Sequence, residues 1–115
     1  MDGKESEQTA WRFLKAKGYH IVERNFRCGH GEIDLIVRKG DLLVFVEVKG
    51  RSNTKFAPIE ESVPLLKRKR LLRASRAYLS FPGRLEGINS VRFDCVLVNF
   101  SLDKPSIKHI ENAFS

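Results

Sequence analysis

The sequence predicts an α/β fold. Three observations carry that prediction: helical periodicity at residues 2–18 and again at 59–81, a period of two across 32–49, and a return to strand character after the second helical stretch. The 115 residues are 42% hydrophobic and 30% charged, enough for one core and too few for two. One domain over residues 1–115 is therefore expected.

The first element, Asp2 to Gly18, reads as an amphipathic helix. Glu7, Ala10, Trp11 and Leu14 recur at i, i+3, i+4 and i+7, and Gly18 stands where a helix would stop. Tyr19 to Phe26 is β-branched and aromatic and reads as a strand, followed by a polar loop, Arg27-Cys28-Gly29-His30-Gly31. In Glu32 to Arg38 the alternation sets Ile33, Leu35 and Val37 on one face and Glu32, Asp34 and Ile36 on the other. Leu42 to Lys49 repeats it, with Val44, Val46 and Val48 opposed to Phe45, Glu47 and Lys49.

A two-residue turn at Gly40-Asp41 suits type II′, which takes glycine at its first central position. That turn pairs Leu35 with Val46, Asp34 with Glu47, Ile33 with Val48 and Glu32 with Lys49. A slip of one residue would set Asp34 against Val46 and bring charge onto the aliphatic face, so the hydrophobic pattern selects the register. Directly opposed Cβ atoms lie roughly 4.5–5.5 Å apart, close enough for two carboxylates to share a cation.

Ser52 to Pro58 reads as a loop and Ile59 to Phe81 as a helix, with Leu65, Leu72 and Leu79 along one line and Lys69, Arg73 and Arg76 along another. Pro82-Gly83 ends it. Val91 to Phe100 reads as a strand and Ser106 to Ile110 as a last edge strand. No repeat, low-complexity tract or linker interrupts the chain.

Charge narrows the function classes. There are 21 Lys and Arg against 14 Asp and Glu, a net of +7, which favours polyanionic partners. No apolar run approaches the roughly 20 residues that cross a bilayer, so no membrane partner is expected. The polar start, MDGKESEQTA, is unlike a secretion signal, and a cytoplasmic location follows as an expectation. Cys28 and Cys95 form no CxxC pair and read as reduced thiols. A zinc site would need about four ligands from Cys28, His30, His20, Cys95 and His109, and is disfavoured.

Two acids and a lysine on adjacent strands suit metal-assisted phosphodiester cleavage. Mg²⁺ prefers oxygen ligands and keeps several waters, so Asp34 and Glu47 can serve as ligands, with the backbone carbonyl of Val48 as a further oxygen. Lys49 can orient or help deprotonate the attacking water and offset transition-state charge. The ordinary alternative is a solvated hairpin face, where opposite charges stabilise by roughly 0.2–1 kcal/mol without any metal. Ile36, Leu43 and Phe45 on the same face argue for burial, where charges need partners.

Glu7 either favours its helix N-terminus or belongs to the rim of the site. Glu32 is read as a salt bridge to Lys49 in preference to a metal ligand or a charge at the start of its strand. Asp94 beside Arg92 is read as an ion pair near the sheet. Lys67-Arg68-Lys69-Arg70, with Arg73 and Arg76, is a run of cations without an acid. Self-repulsion favours phosphate contact over a merely solvated face. Candidate nucleic-acid contacts are accordingly Lys67, Lys69, Arg70, Arg73, Arg76 and Arg51. His30 is either a substrate-side contact or an ordinary loop residue.

Asp34, twelve residues and then Glu47-Val48-Lys49 resembles the PD-(D/E)xK nuclease signature. The longer string GEIDLIVRKGDLLVFVEVKGR resembles the YraN-like family of small bacterial proteins, uncharacterised protein family 0102, itself similar to archaeal Holliday-junction resolvases. The likeness extends to Gly3 through Ala10, Asn25-Phe26-Arg27, Lys67 through Leu79 and Arg92-Phe93-Asp94. It implies a restriction-endonuclease-like core, a mixed central β-sheet flanked by helices. It implies a Mg²⁺-dependent (or Mn²⁺-dependent) endonuclease on nucleic acid, DNA before RNA and branched DNA among the substrates. Asp34 and Glu47 would hold metal, Lys49 would serve catalysis, and Glu7 would reach the metal through water. Gly50 departs from the larger residue usual after the lysine, a change expected to loosen the strand end. The alternatives are a catalytically inactive nucleic-acid-binding module of the same fold and a structural or regulatory partner of a larger complex. Symmetric cleavage of a junction would need two sites and hence a homodimer, although no apolar interface stripe stands out.

Overall fold

The computed structural model describes residues 3–29, 31–51, 65–100 and 103–113. They form α1 (Gly3–Ala16), β1 (His20–Cys28), β2 (Gly31–Lys39), β3 (Leu42–Arg51), α2 (Leu65–Leu79), β4 (Ser90–Asn99) and β5 (Ser106–Ile110). The strands make one sheet in chain order. The β1–β2, β2–β3 and β4–β5 pairs are antiparallel, while β3 and β4 run parallel. The sheet is therefore mixed, as expected, and its one parallel step needs a crossover, which contains α2.

Helices cover both faces. Ala10 and Leu14 of α1 pack on Leu35, Val37, Val44, Val46, Val96 and Val98. On the other face Leu71, Ala74 and Tyr78 of α2 pack on Ile36, Leu43, Phe45, Cys95 and Leu97. Burial on both sides explains the near-continuous apolar runs of β2, β3 and β4.

The hairpin register holds from Lys39–Leu42 through Leu35–Val46. Gly40 has φ +61°, as a type II′ turn requires. Beyond Leu35–Val46 the ladder stops, and the expected Asp34–Glu47, Ile33–Val48 and Glu32–Lys49 backbone pairs are not formed. The cause lies at Asp34, whose side-chain Oδ2 accepts the Val48 N–H at 2.8 Å where main chain would otherwise bond. Side-chain alternation breaks there too, because Ile33 packs on the α2 side while Leu35 and Val37 face α1. On β1 the matching step skips Asn25, which has φ +51°. Glu32 consequently lies 3.6 Å from Arg27, and no bridge to Lys49 exists among the described residues.

Three further expectations need correction. Arg27, Cys28 and Gly31 are not loop residues, since Arg27 pairs with Glu32 and Cys28 with Gly31 in the β1–β2 ladder. The apolar side of α2 is not the Leu65–Leu72–Leu79 line, for Leu65 is 66% exposed while Leu71, Ala74, Ser75 and Tyr78 are buried. A seven-residue recurrence drifts around a helix, whereas the i, i+3, i+4, i+7 set defines its buried stripe. Gly50 does not loosen β3. A Cβ there would collide with the Ser6 side chain, so its absence lets α1 close onto the sheet. The expected loop at Ser52–Pro58 and the expected helical start at 59–64 lie outside the described residues.

The Asp94 ion pair is as expected and larger. Arg92 donates to both Asp94 oxygens at 2.8 Å and to Tyr19 Oη at 2.7 Å. His109 Nε2 lies 2.7 Å from Asp94 Oδ2, and the Asn112 N–H donates to Oδ1 at 3.0 Å. Burial works to raise the Asp94 pKa, but these donors outweigh it and hold the carboxyl below its ordinary value. The network ties the chain after α1 to β4 and β5.

Candidate metal centre

The end of the β2–β3 ladder creates the site. Asp34 stands where β2 parts from β3, and Glu47 lies on β3 with Phe45, facing α2. Both are buried, at 8% and 3% exposed. Their carboxyls are within hydrogen-bonding reach of each other, while Glu47 Oε2 is buried with no donor among the described residues. Two carboxylates that close cannot both be ionised and dry without a proton or cation between them. Burial and then the Asp34 charge push the Glu47 pKa up to about 8. Asp34 is also held above its ordinary value, by burial, against the opposing Val48 N–H.

This arrangement fits a hard divalent cation. Asp34 and Glu47 offer oxygens, and the orphaned Oε2 is the kind of atom a cation satisfies. A residue's N–H and C=O leave a strand on the same edge, so Val48 also directs its carbonyl into the gap that its N–H closes with Asp34. Among the described residues no group of three or more Asp, Glu, His or Cys side chains forms a metal cluster, so water and substrate would complete the shell.

Glu7 approaches without joining. It bonds Asn25 and feels the Asp34 charge, and burial followed by that charge raises its pKa. Beside it opens a cleft of about 390 Å³ lined by Lys4, Glu5, Glu7, Gln8, Arg24, Asn25 and Leu35. Lys49 is exposed and makes no ion pair with either acid among the described residues. The ammonium on the acid pair belongs to Lys67, 3.0 Å from Glu47 Oε1. Burial lowers the Lys67 pKa, but the Glu47 charge and hydrogen bond outweigh it and leave it raised. Sequence reasoning had Lys67 on phosphate. The missed signal is helical phase: Lys67, Leu71, Ala74 and Tyr78 recur at i, i+4, i+7 and i+11, so Lys67 shares the sheet-facing stripe.

Lys69, Arg70, Arg73 and Arg76 are exposed, and three of them, Lys69, Arg73 and Arg76, make one basic side opposite that stripe. Arg51 is half-buried at the end of β3, and His30 lies outside the described residues. Cys28 is exposed and Cys95 buried; burial pushes the Cys95 thiol up to about 12, which suits packing rather than metal ligation. His109 is engaged with Asp94. No described helix is long and apolar enough to cross a membrane.

A mixed sheet between two helices, with a buried acid pair where one hairpin parts, defines an α/β protein consistent with a restriction-endonuclease-like core. The model of the family described as Uncharacterised protein family UPF0102 matches residues 6–98, and this chain belongs to that family. A UPF0102 protein of Thermodesulfovibrio yellowstonii is 44% identical over 112 residues, covering 97% of this chain and 94% of the relative. One of Hahella chejuensis is 41% identical over 115 residues, with 98% and 89% covered. One of Geobacter metallireducens is 38% identical over 112 residues, with 97% and 90% covered.

Proposed function

We propose that this chain is a Mg²⁺-dependent endonuclease, with Mn²⁺ as a substitute, that hydrolyses phosphodiester bonds in nucleic acid, DNA before RNA. The observation that carries the reading is the buried Asp34–Glu47 pair with an oxygen lacking any donor among the described residues. Asp34, Glu47 and the Val48 carbonyl would hold the metal. Bound there, Mg²⁺ supplies Lewis-acid polarisation of a phosphoryl oxygen and a more acidic water. The Val48 N–H keeps Asp34 aimed at the gap. Lys49, on β3 two residues past Glu47, would orient the attacking water or offset phosphorane charge once substrate fills the site. Lys69, Arg73 and Arg76 would hold the phosphate backbone without regard to sequence. Glu7 would act at the rim, through water. A cytoplasmic setting and, for junction cleavage, a homodimer complete the reading.

One observation favours a second reading. Lys49 is exposed and makes no ion pair with either acid among the described residues, as would suit a nucleic-acid-binding module that does not cut. A screen with Mg²⁺ and Mn²⁺ over branched, nicked and linear DNA and RNA separates the two. An endonuclease gives metal-dependent products that vanish in Asp34→Asn while nucleic-acid affinity stays level or rises. Salt-sensitive binding with no products on any substrate would establish the module instead.

A further inference from the structure

We infer that Lys67 is the resident cation of the acid pair, and that a divalent ion must displace it to load. The inference rests on the reading of Asp34 and Glu47 as metal ligands, and concerns how that site is regulated.

Three observations support displacement. Lys67 Nζ lies 3.0 Å from Glu47 Oε1 and feels the charges of Glu47, Asp34 and Glu32, so it stands in the space a metal would occupy. One ammonium is an incomplete substitute, since Glu47 Oε2 remains without a donor among the described residues. Finally, little besides the acids favours a cation there. Lys67 sits in the first turn of α2, where the helix dipole disfavours positive charge, and Arg68, Lys69 and Arg70 follow it. Its side chain is 48% exposed, so it can swing to solvent without breaking the core.

A metal that neutralises the acids therefore removes what holds Lys67. The freed ammonium then stands at the first turn of α2, beside the metal and next to the exposed Arg70 three residues on. Loading would thus turn a counter-ion into a phosphate-facing group.

The test is titration of the whole chain with Mn²⁺ alone, read by calorimetry, for wild type, Lys67→Met and Lys69→Met. Lys67→Met should bind at least about tenfold tighter, a coupling of ordinary allosteric size, and Lys69→Met should change affinity by less than about threefold. On the wild-type chain, saturating Mg²⁺ should shift the amide resonances of Lys67 and Arg68, a readout that survives if Lys67→Met does not fold. Equal or weaker Mn²⁺ binding by Lys67→Met, or unmoved amides at saturation, overturns the displacement while leaving the metal site standing. No binding by wild type or Lys67→Met overturns the metal site and the displacement together. Binding by Lys67→Met alone supports both.

Discussion

Replacing Glu47 with glutamine should make the metal-free protein more stable at neutral pH. Glu47 is 3% exposed, and its pKa rises from the ordinary 4.5 to about 8. A carboxyl raised in the folded state keeps a proton that the unfolded chain has released, so stability falls as pH climbs from 4.5 towards 8 and levels off above. At pH 7 the gap of about 2.5 units above 4.5, at 1.36 kcal/mol per unit, corresponds to about 3 kcal/mol. Glutamine reproduces the protonated acid: its oxygen still accepts from Lys67 and its amide can donate to Asp34. Urea unfolding of the metal-free chain, followed through the single Trp11, should give equal midpoints near pH 4.5 and a variant more stable by about 3 kcal/mol at pH 7. A smaller decline should persist in Glu47→Gln because Asp34 is raised as well. Mg²⁺ at 100 times its dissociation constant should restore about 2.7 kcal/mol to wild type and little to the variant. Parallel stability curves for the two proteins would refute the claim that the acids are close-packed and dry.

Other perturbations test the frame around the site. Gly50→Ala should cost about 1–3 kcal/mol in urea unfolding, because the added methyl meets Ser6 of α1. Asp94→Asn should cost about 3 kcal/mol, since it takes from the partly buried Arg92 its close, two-pronged anion and leaves it only Glu111 at 3.7 Å. The Asp94 pKa is lowered on folding, so its contribution is present above 3.8 and lost as pH falls below that; the variant should lack this acid-side loss. Changing Lys69, Arg73 and Arg76 together to Ala should weaken binding to duplex DNA and reduce the salt slope by about 2.7, while a slope unchanged within error would remove α2 from the interface.

Much of this was legible in the sequence, and the failures share a cause. The alternation of Leu35, Val37, Val44 and Val46 sets the hairpin register because a slipped strand would bury charge, and the turn at Gly40 agrees with it. At Asp34 the argument stops working, since a carboxylate competes with main chain for the Val48 N–H and period-two reasoning has no term for such competition. The acid pair was visible because both members lie in one hairpin. The cation upon it was not, because Lys67 comes from the helix within the β3–β4 crossover and only its phase relative to Leu71 and Tyr78 pointed to the sheet. The Asp94 network shows the same limit: Arg92 is two residues away and was anticipated, whereas His109 and Asn112 come from β5 and just past it, 15 and 18 residues along the chain.

The parallel seam between β3 and β4 bears on how the chain is made. During synthesis the β2–β3 hairpin can close early around its short turn, but β3 then waits for Ser90–Asn99 before its other edge is covered. Through that interval Val44, Val46 and Val48 border an open strand edge, the feature from which sticking between nascent chains begins. Stalled or truncated products ending before β4 should aggregate, whereas loss of β5, five residues at the outer edge, should be the milder lesion.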